Sequence, residues 1–200
     1  MGFLHEIRNL EFIKDLEREI NTDVLLFGVD GFTYYGNLQA IEDCRIAFLT
    51  PAITAESNEV EILTPGGEIR EVTFLRVDLW SIIAKGSGIV NDPFNNTGSG
   101  NALNVNGVIG LGQRDGEEQR QDGHDLVCQL RRMVGDTVVL TTLGGFLFEG
   151  TLGAADNCLA LLTVNSIFVP GTDQCISNRD VRSVLVNLES LTSISTVCCC

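Results

Sequence analysis

Cations, histidines and aromatic residues are scarce in this chain of 200 residues. Thirteen Lys and Arg stand against 27 Asp and Glu, a formal net charge of −14. Such a chain repels phosphate backbones and anionic bilayers unless cations gather locally. The one dense cluster is Arg131-Arg132 on a helical stretch, so nucleic acid is not an expected partner. There are two histidines, His5 and His124, each ahead of a helical pattern with no cysteine or carboxylate cluster in register. Helix capping or exposure accounts for both better than catalysis. No phosphate loop, nucleophile elbow, paired-cysteine zinc pattern or His-Glu helix motif occurs. The stretch GLGQRDG at 110–116 lacks the flanking strand and helix of a dinucleotide site. The chain therefore reads as no enzyme, with no catalytic residue, no metal ligands and no cofactor. No apolar run is long enough to span a bilayer. The opening MGFLHEIRNLEF carries charges inside its apolar stretch, and Glu6 breaks the myristoylation pattern. Cytoplasmic synthesis without a signal peptide is the expectation.

Cysteine is present in an odd number, seven, at Cys44, Cys128, Cys158, Cys175 and the run Cys198-Cys199-Cys200. An odd count with no signal peptide argues against a closed intrachain disulfide framework. Cys44 and Cys158 open apolar strands and Cys128 lies on the apolar side of a helix, so all three are expected as small buried hydrophobes. The three consecutive thiols of Cys198–Cys200 have no core to enter.

What the chain does have is a repeat. Thr22–Leu49 reads TDVLLFGVDGFTYYGNLQAIEDCRIAFL, and Asp136–Thr163, shifted by 114 residues, reads DTVVLTTLGGFLFEGTLGAADNCLALLT. Gly31/Gly145, Phe32/Phe146, Gly36/Gly150, Leu38/Leu152, Ala40/Ala154 and Cys44/Cys158 coincide without a gap, the mark of an internal duplication. After each Gly-Phe the residues alternate, predicting a strand with one buried face. Asp30-Gly31 and Gly144-Gly145 follow the apolar runs Val24–Val29 and Val138–Leu143, a hairpin signal. Gly36 and Gly150 sit in mid-strand on the inward parity, which calls for a sharp bend or a close backbone approach. Each unit begins with a helical stripe, Leu10, Phe12, Ile13, Leu16 and Ile20 in the first and Leu126, Val127, Leu130 and Val134 in the second, the latter stopped by Gly135. Each ends in strands, with Glu71–Ile83 matched to Ser183–Ile194 at a shift of 112.

Between the units, residues 87–123 are rich in Gly, Asn, Ser and Asp and then in charge. This reads as a linker or long loop, too long to be passive, with Val105, Val108, Ile109 and Leu111 as apolar anchors. A shorter insertion, Pro51–Gly67, lies inside the first unit, with a turn at Pro65-Gly66-Gly67.

An apolar strand, a turn glycine and aromatic, Tyr34-x-Gly36-x-Leu38, an acidic strand end, and Leu75-Arg76-Val77-Asp78 in place of an apolar-Arg-Gly-Asp motif together resemble the Sm-like family. The resemblance spans roughly residues 10–84 and 124–196. It implies a mainly β chain: two tandem Sm-like five-stranded bent antiparallel barrels, each preceded by an α-helix, with barrel 1 in 1–86, the linker in 87–123 and barrel 2 in 124–200. It also implies single-stranded RNA binding, with Tyr34 and Arg76 as contacts. The positions where such a family reads a base edge are Glu42 and Ile46 in one unit and Asp156 and Ala160 in the other, and neither unit has an amide there. The second motif falls on Arg76-Val77 and Leu188-Glu189. RNA binding is therefore the alternative reading.

The leading expectation is a non-enzymatic structural protein. Edge strands of small barrels recruit further chains by strand addition, and Phe74, Val77, Trp80 and Ile83 with Val184, Val186, Leu191 and Ile194 would carry the contact. The partner is the chain itself, as a ring or a filament. Cys198, Cys199 and Cys200 would cross-link copies by disulfides. This acidic, cysteine-ended composition resembles bacterial spore-coat or surface-layer proteins, which implies deposition on a spore or cell surface.

Overall fold

The computed structural model describes residues 3–94, 123–156, 158–173 and 175–196, with side chains from residue 10 in the first helix and from 128 in the second. The chain is mainly β. Helix α1 (Phe3–Glu17) precedes β1 (Asp23–Gly28), β2 (Thr33–Glu42), β3 (Ile46–Thr50), β4 (Val60–Leu63), β5 (Ile69–Val72), β6 (Leu75–Asp78) and β7 (Ile82–Ile89). Helix α2 (Gly123–Arg132) precedes β8 (Thr137–Thr142), β9 (Leu147–Ala155), β10 (Leu159–Phe168), β11 (Cys175–Ser177), β12 (Val181–Asn187) and β13 (Leu191–Thr196). All pairings are antiparallel.

The duplication is written into the backbone. In strand terms the first half runs β7-β1-β2-β3-β6 and the second β13-β8-β9-β10-β12, the same order twice. Amide bonds repeat at the 114-residue shift: Asn21 to Leu38 and Gly135 to Leu152, Gly28 to Phe32 and Thr142 to Phe146, Gly31 to Gly28 and Gly145 to Thr142. The expected hairpin turns are present, with Gly31 at φ 84° and Gly145 at φ 80°, a region closed to most side chains. Gly36 is where the neighbouring strand comes close: a Cβ there would stand 2.8 Å from the Thr50 carbonyl oxygen, and one on Gly150 would collide with that of Thr163. The helices meet the expected stripe in part: Phe12, Ile13, Leu16 and Leu130 are buried, whereas Leu10 and Val134 are exposed.

The later strands are matched at a different shift. Asp78 and Asn187 each cap a single 3-10 turn, accepting from the amides of Trp80 and Glu189, and Ser81 and Ser190 each donate to the cap carbonyl at 2.7 Å. Leu79 therefore corresponds to Leu188, a shift of 109 rather than 112. Arg76-Val77 accordingly lies opposite Leu185-Val186, not Leu188-Glu189. The turn after β2 is also one residue longer than its counterpart: the amides of Leu79 and Leu188 bond the carbonyls of Arg45 and Cys158. Cys158 thus answers Arg45, and the Cys44/Cys158 match is a sequence coincidence.

The ten-strand path is continuous because β7 pairs with β12, joining the halves in one open sheet whose ends, β13 and β6, do not meet. Branches leave it at β4–β5 and at β11. β7 runs to Ile89, so the stretch read as linker begins inside a strand; the anchors at 105–111 lie outside the described residues. Among the described residues the core falls into two clusters. One lies under α1 and holds Phe12, Leu16, Val24, Leu26, Leu38, Leu49 and Val77; the other draws Leu25, Phe27, Tyr35 and Ile83 together with Phe146, Phe148 and Leu162. Phe27 meets Phe146 and Phe148 edge-on at 5.1 and 5.2 Å, the favoured aromatic geometry. β1 is consequently buried on both faces. So is the start of β2, where Thr33, Tyr35 and Asn37 are covered as well as Leu38. The expected half-exposed strand is found in β8 and β9 instead.

Candidate self-association interface

The positions available for assembly are decided by which strand sides have partners. β6 pairs with β3 on one side (Ala47↔Val77, Phe48↔Arg76), and β13 pairs with β8 (Leu140↔Ile194, Val139↔Ser195). The other side of each has no partner among the described residues. Unpaired N–H and C=O groups on such an edge template further strands.

Around β6 lies the most exposed aromatic surface among the described residues of the first half. Phe74 is 60% exposed and Trp80 45%. Phe74 packs on Phe48 at 5.9 Å, and Arg76 lies over Phe48 while pairing with Glu42 at 3.5 Å. Arg45 lies 4.6 Å from the Trp80 ring centroid and donates to both Asp78 oxygens, 2.6 Å at the shorter. This hydrogen bond holds the Asp78 carboxyl below its ordinary range. β13 is different in kind. Its residues Leu191–Thr196 carry no charge, and Thr141 bonds the hydroxyls of Thr192 and Ser193.

Of the eight expected interface residues, Val77, Leu191 and Ile194 lie in these edge strands and Phe74 and Trp80 flank β6. Ile83, Val184 and Val186 are elsewhere: they are buried in β7 and β12, where Val184↔Gly86 and Val186↔Ala84 join the halves. Cys198–Cys200 lie outside the described residues, as do the side chains of His5 and His124. The other thiols correct the expectation of burial. Cys44 is exposed in the β2–β3 turn at φ 51°, Cys128 is exposed on α2, and Cys158 is half-buried. Cys175 is exposed as a residue, yet partial covering of its sulfur pushes the thiol up, helped by the Glu149 and Asp180 charges. No disulfide links the described cysteines.

The RNA-contact candidates are already engaged. Burial, then the Asp30 carboxylate that the phenol bonds, pushes the Tyr34 hydroxyl up to about 12. Arg76 is taken by Glu42 and Phe48, on a different strand.

The sequence reading missed Lys85. It is 1% exposed in β7, with Leu26 of β1 on one side and Leu185 of β12 on the other. Its ammonium meets Asp15 at 2.7 Å and Glu19 at 2.5 Å, and Ser87 donates to the same Glu19 oxygen. A second acidic group also went unread. Glu61, 4% exposed, accepts from Ser57, while Asp92 accepts from the amides of Glu56 and Phe94. Burial, then the charges of Asp92 and Glu71, raises the Glu61 carboxyl, against the pull of Ser57. An open polar cleft of about 640 Å³ adjoins it, lined by Thr54, Glu56, Asn91, Asp92, Arg179 and Asp180. Among the described residues no His, Cys, Asp or Glu group is arranged to hold a metal ion, and no helix is long and apolar enough to cross a membrane.

No family model matches this chain, and no curated protein matches it. The functional reading rests on the geometry of the strands.

Proposed function

We propose that the chain is a non-enzymatic structural protein: two Sm-like modules in tandem that self-associate through strand edges, locked by disulfides among Cys198, Cys199 and Cys200. One observation carries the reading. The two halves have the same strand order and are already joined by one edge pairing, β7 with β12, while the counterpart edges β13 and β6 have no partner among the described residues. Each kind of repeated edge is thus used once internally, and its counterpart is unpaired among the described residues. The excess of acid and the three consecutive thiols Cys198–Cys200 support a cross-linked outer layer of the spore-coat type.

Native mass spectrometry over a range of concentrations tests the association, with and without reductant. Oligomers that persist in reductant, and become covalent under oxidation only when Cys198–Cys200 are intact, are expected. A monomer at all concentrations, indifferent to deletion of the three thiols, would sink the reading.

A further inference from the structure

Of the four prolines in the chain, one follows an aspartate, at Asp92-Pro93. This bond lies just past β7, at the seam between the halves, where the Val90 amide bonds the Asp180 carbonyl and the Asn91 side chain bonds that of Arg179. The segment is held firmly. Asp92 and Pro93 are both buried, and Phe94 packs edge-on against Tyr35 at 5.9 Å. Oδ1 of Asp92 accepts from the Phe94 amide at 2.9 Å, and Oδ2 from the Glu56 amide at 3.4 Å. The carboxylate therefore reaches across the peptide bond that follows its own residue. That bond is a tertiary amide, whose nitrogen takes up a proton more readily than a secondary amide does.

A proton donor stands beside it. Glu61 of β4, 4% exposed, is within hydrogen-bonding reach of the Asp92 carboxylate. Both line a cavity of about 230 Å³ together with Ser57, Glu71 and Phe94. Tyr35 of β2 and Glu71 of β5 stand opposite Glu61 on its two sides. Glu56 comes from the loop before β4, and Arg179 and Asp180 line the adjoining cleft. Burial, then the Asp92 and Glu71 charges, keeps the proton on Glu61 against the pull of Ser57. Two neighbouring carboxyls thus hold different protonation states, the pattern that divides an attacking base from an acid.

We propose that the chain cuts its own backbone at Asp92-Pro93, independently of the association described above. An Asp92 carboxylate oxygen attacks the carbonyl carbon of its own residue. The carbon–nitrogen bond to Pro93 breaks, its electron pair goes to the proline nitrogen, and that nitrogen takes the Glu61 proton. Residue 92 is left as a five-membered cyclic anhydride. Water entering from the cavity opens it, one of its protons returning to Glu61 and the other going to the new proline amine. The attacking group is part of the residue it attacks, so no encounter with a second molecule is needed for the cut itself. The product is a nicked chain whose halves stay paired through β7 and β12.

Intact mass spectrometry of the purified full chain tests this. Held for days at a pH of about 5, the folded chain should yield residues 1–92 and 93–200, together heavier by one water. It should do so about tenfold or more faster than the same chain in denaturant, since positioned proton donation contributes at least that much. The rate should fall as pH is raised to about 8, where Glu61 loses the proton it must give. Glu61→Gln has the same shape and no such proton, and should slow the cut by about tenfold or more. Pro93→Ala should leave the bond whole. Thermal melting establishes that each variant is folded. A folded chain that stays intact, a rate no greater than in denaturant, or equal cutting in folded Glu61→Gln would overturn the proposal.

Discussion

Lys85 offers the sharpest energetic test, because its three-membered ion cluster is unevenly buried. The lysine is 1% exposed, while the side chains of Asp15 and Glu19 are 37% and 22% exposed. Removing either side of the cluster therefore has different consequences. In Asp15→Ala/Glu19→Ala the ammonium keeps its burial between β1 and β12 and loses both anions. A buried charge stripped of its partner costs about 3–5 kcal/mol, and alanine adds no helix penalty at Asp15. In Lys85→Met the unbranched stem is retained, and the two carboxylates left behind still reach water. The expected loss is about 1–2 kcal/mol, since apolar replacement of similar volume recovers most of what a buried ion pair supplies. Urea unfolding reads the contrast directly. With a slope near 2 kcal/mol per molar, the double variant should shift its midpoint by about 2 M and Lys85→Met by less than about 1 M. Equal shifts, or a larger one for Lys85→Met, would mean that the cation is not the desolvated member, and the reasoning would fail.

Three further outcomes are expected. Gly150→Ala should destabilise by about 3 kcal/mol or more, beyond the usual overpacking range, and Gly36→Ala by about 1–3 kcal/mol, because the first methyl meets a backbone carbonyl head-on and the second only crowds one; calorimetric melting temperatures in that order check it. Glu61→Gln should raise stability at neutral pH: a carboxyl whose folded pKa is raised binds its proton more tightly when folded, so stability is lost as pH rises through that pKa. The gain should shrink toward zero as pH falls below the ordinary glutamate range, and a pH-independent gain in thermal melts would refute it. Asp78→Asn should cost less than about 1 kcal/mol, since its ion pair with Arg45 is largely exposed and Asn187 shows that asparagine serves the same cap. Asp78→Ala removes the cap as well and should cost about 0.5–2 kcal/mol more; identical denaturation midpoints for the two variants would contradict this.

Local chemistry made much of the fold readable from the residues. Asp30-Gly31 and Gly144-Gly145 turn where the dipeptides predict, and Gly36 and Gly150 mark close strand approaches. The limits are equally physical. A period of two reports one covered face and cannot reveal a second cover arriving from far away: Tyr35 lies on the parity opposite the inward Gly36, yet Phe94 and Thr54 close over it. Lys85 follows an apolar run and precedes a Gly/Ser stretch, the look of a strand end. Its burial depends on Asp15 and Glu19, 66 or more residues earlier, and on β12, about 100 later. The final strands were misaligned by three residues because the caps Asp78 and Asn187 differ in identity while sharing a role. Of the contact strands, β6 was marked by Arg76 and Trp80; nothing in Leu191–Thr196 alone distinguishes an open edge from a paired one.

The β7–β12 junction also has a consequence for synthesis. Ile89 finds Val181 only after some 92 further residues have been made, roughly 5–20 s at ordinary elongation rates. During that interval the nascent first half carries β7, Lys85 included, with the side that β12 will cover still unpaired. Ribosome-bound chains stalled before α2 should accordingly recruit chaperones or each other far more readily than chains stalled past β12, and equal recruitment at both points would dismiss the idea.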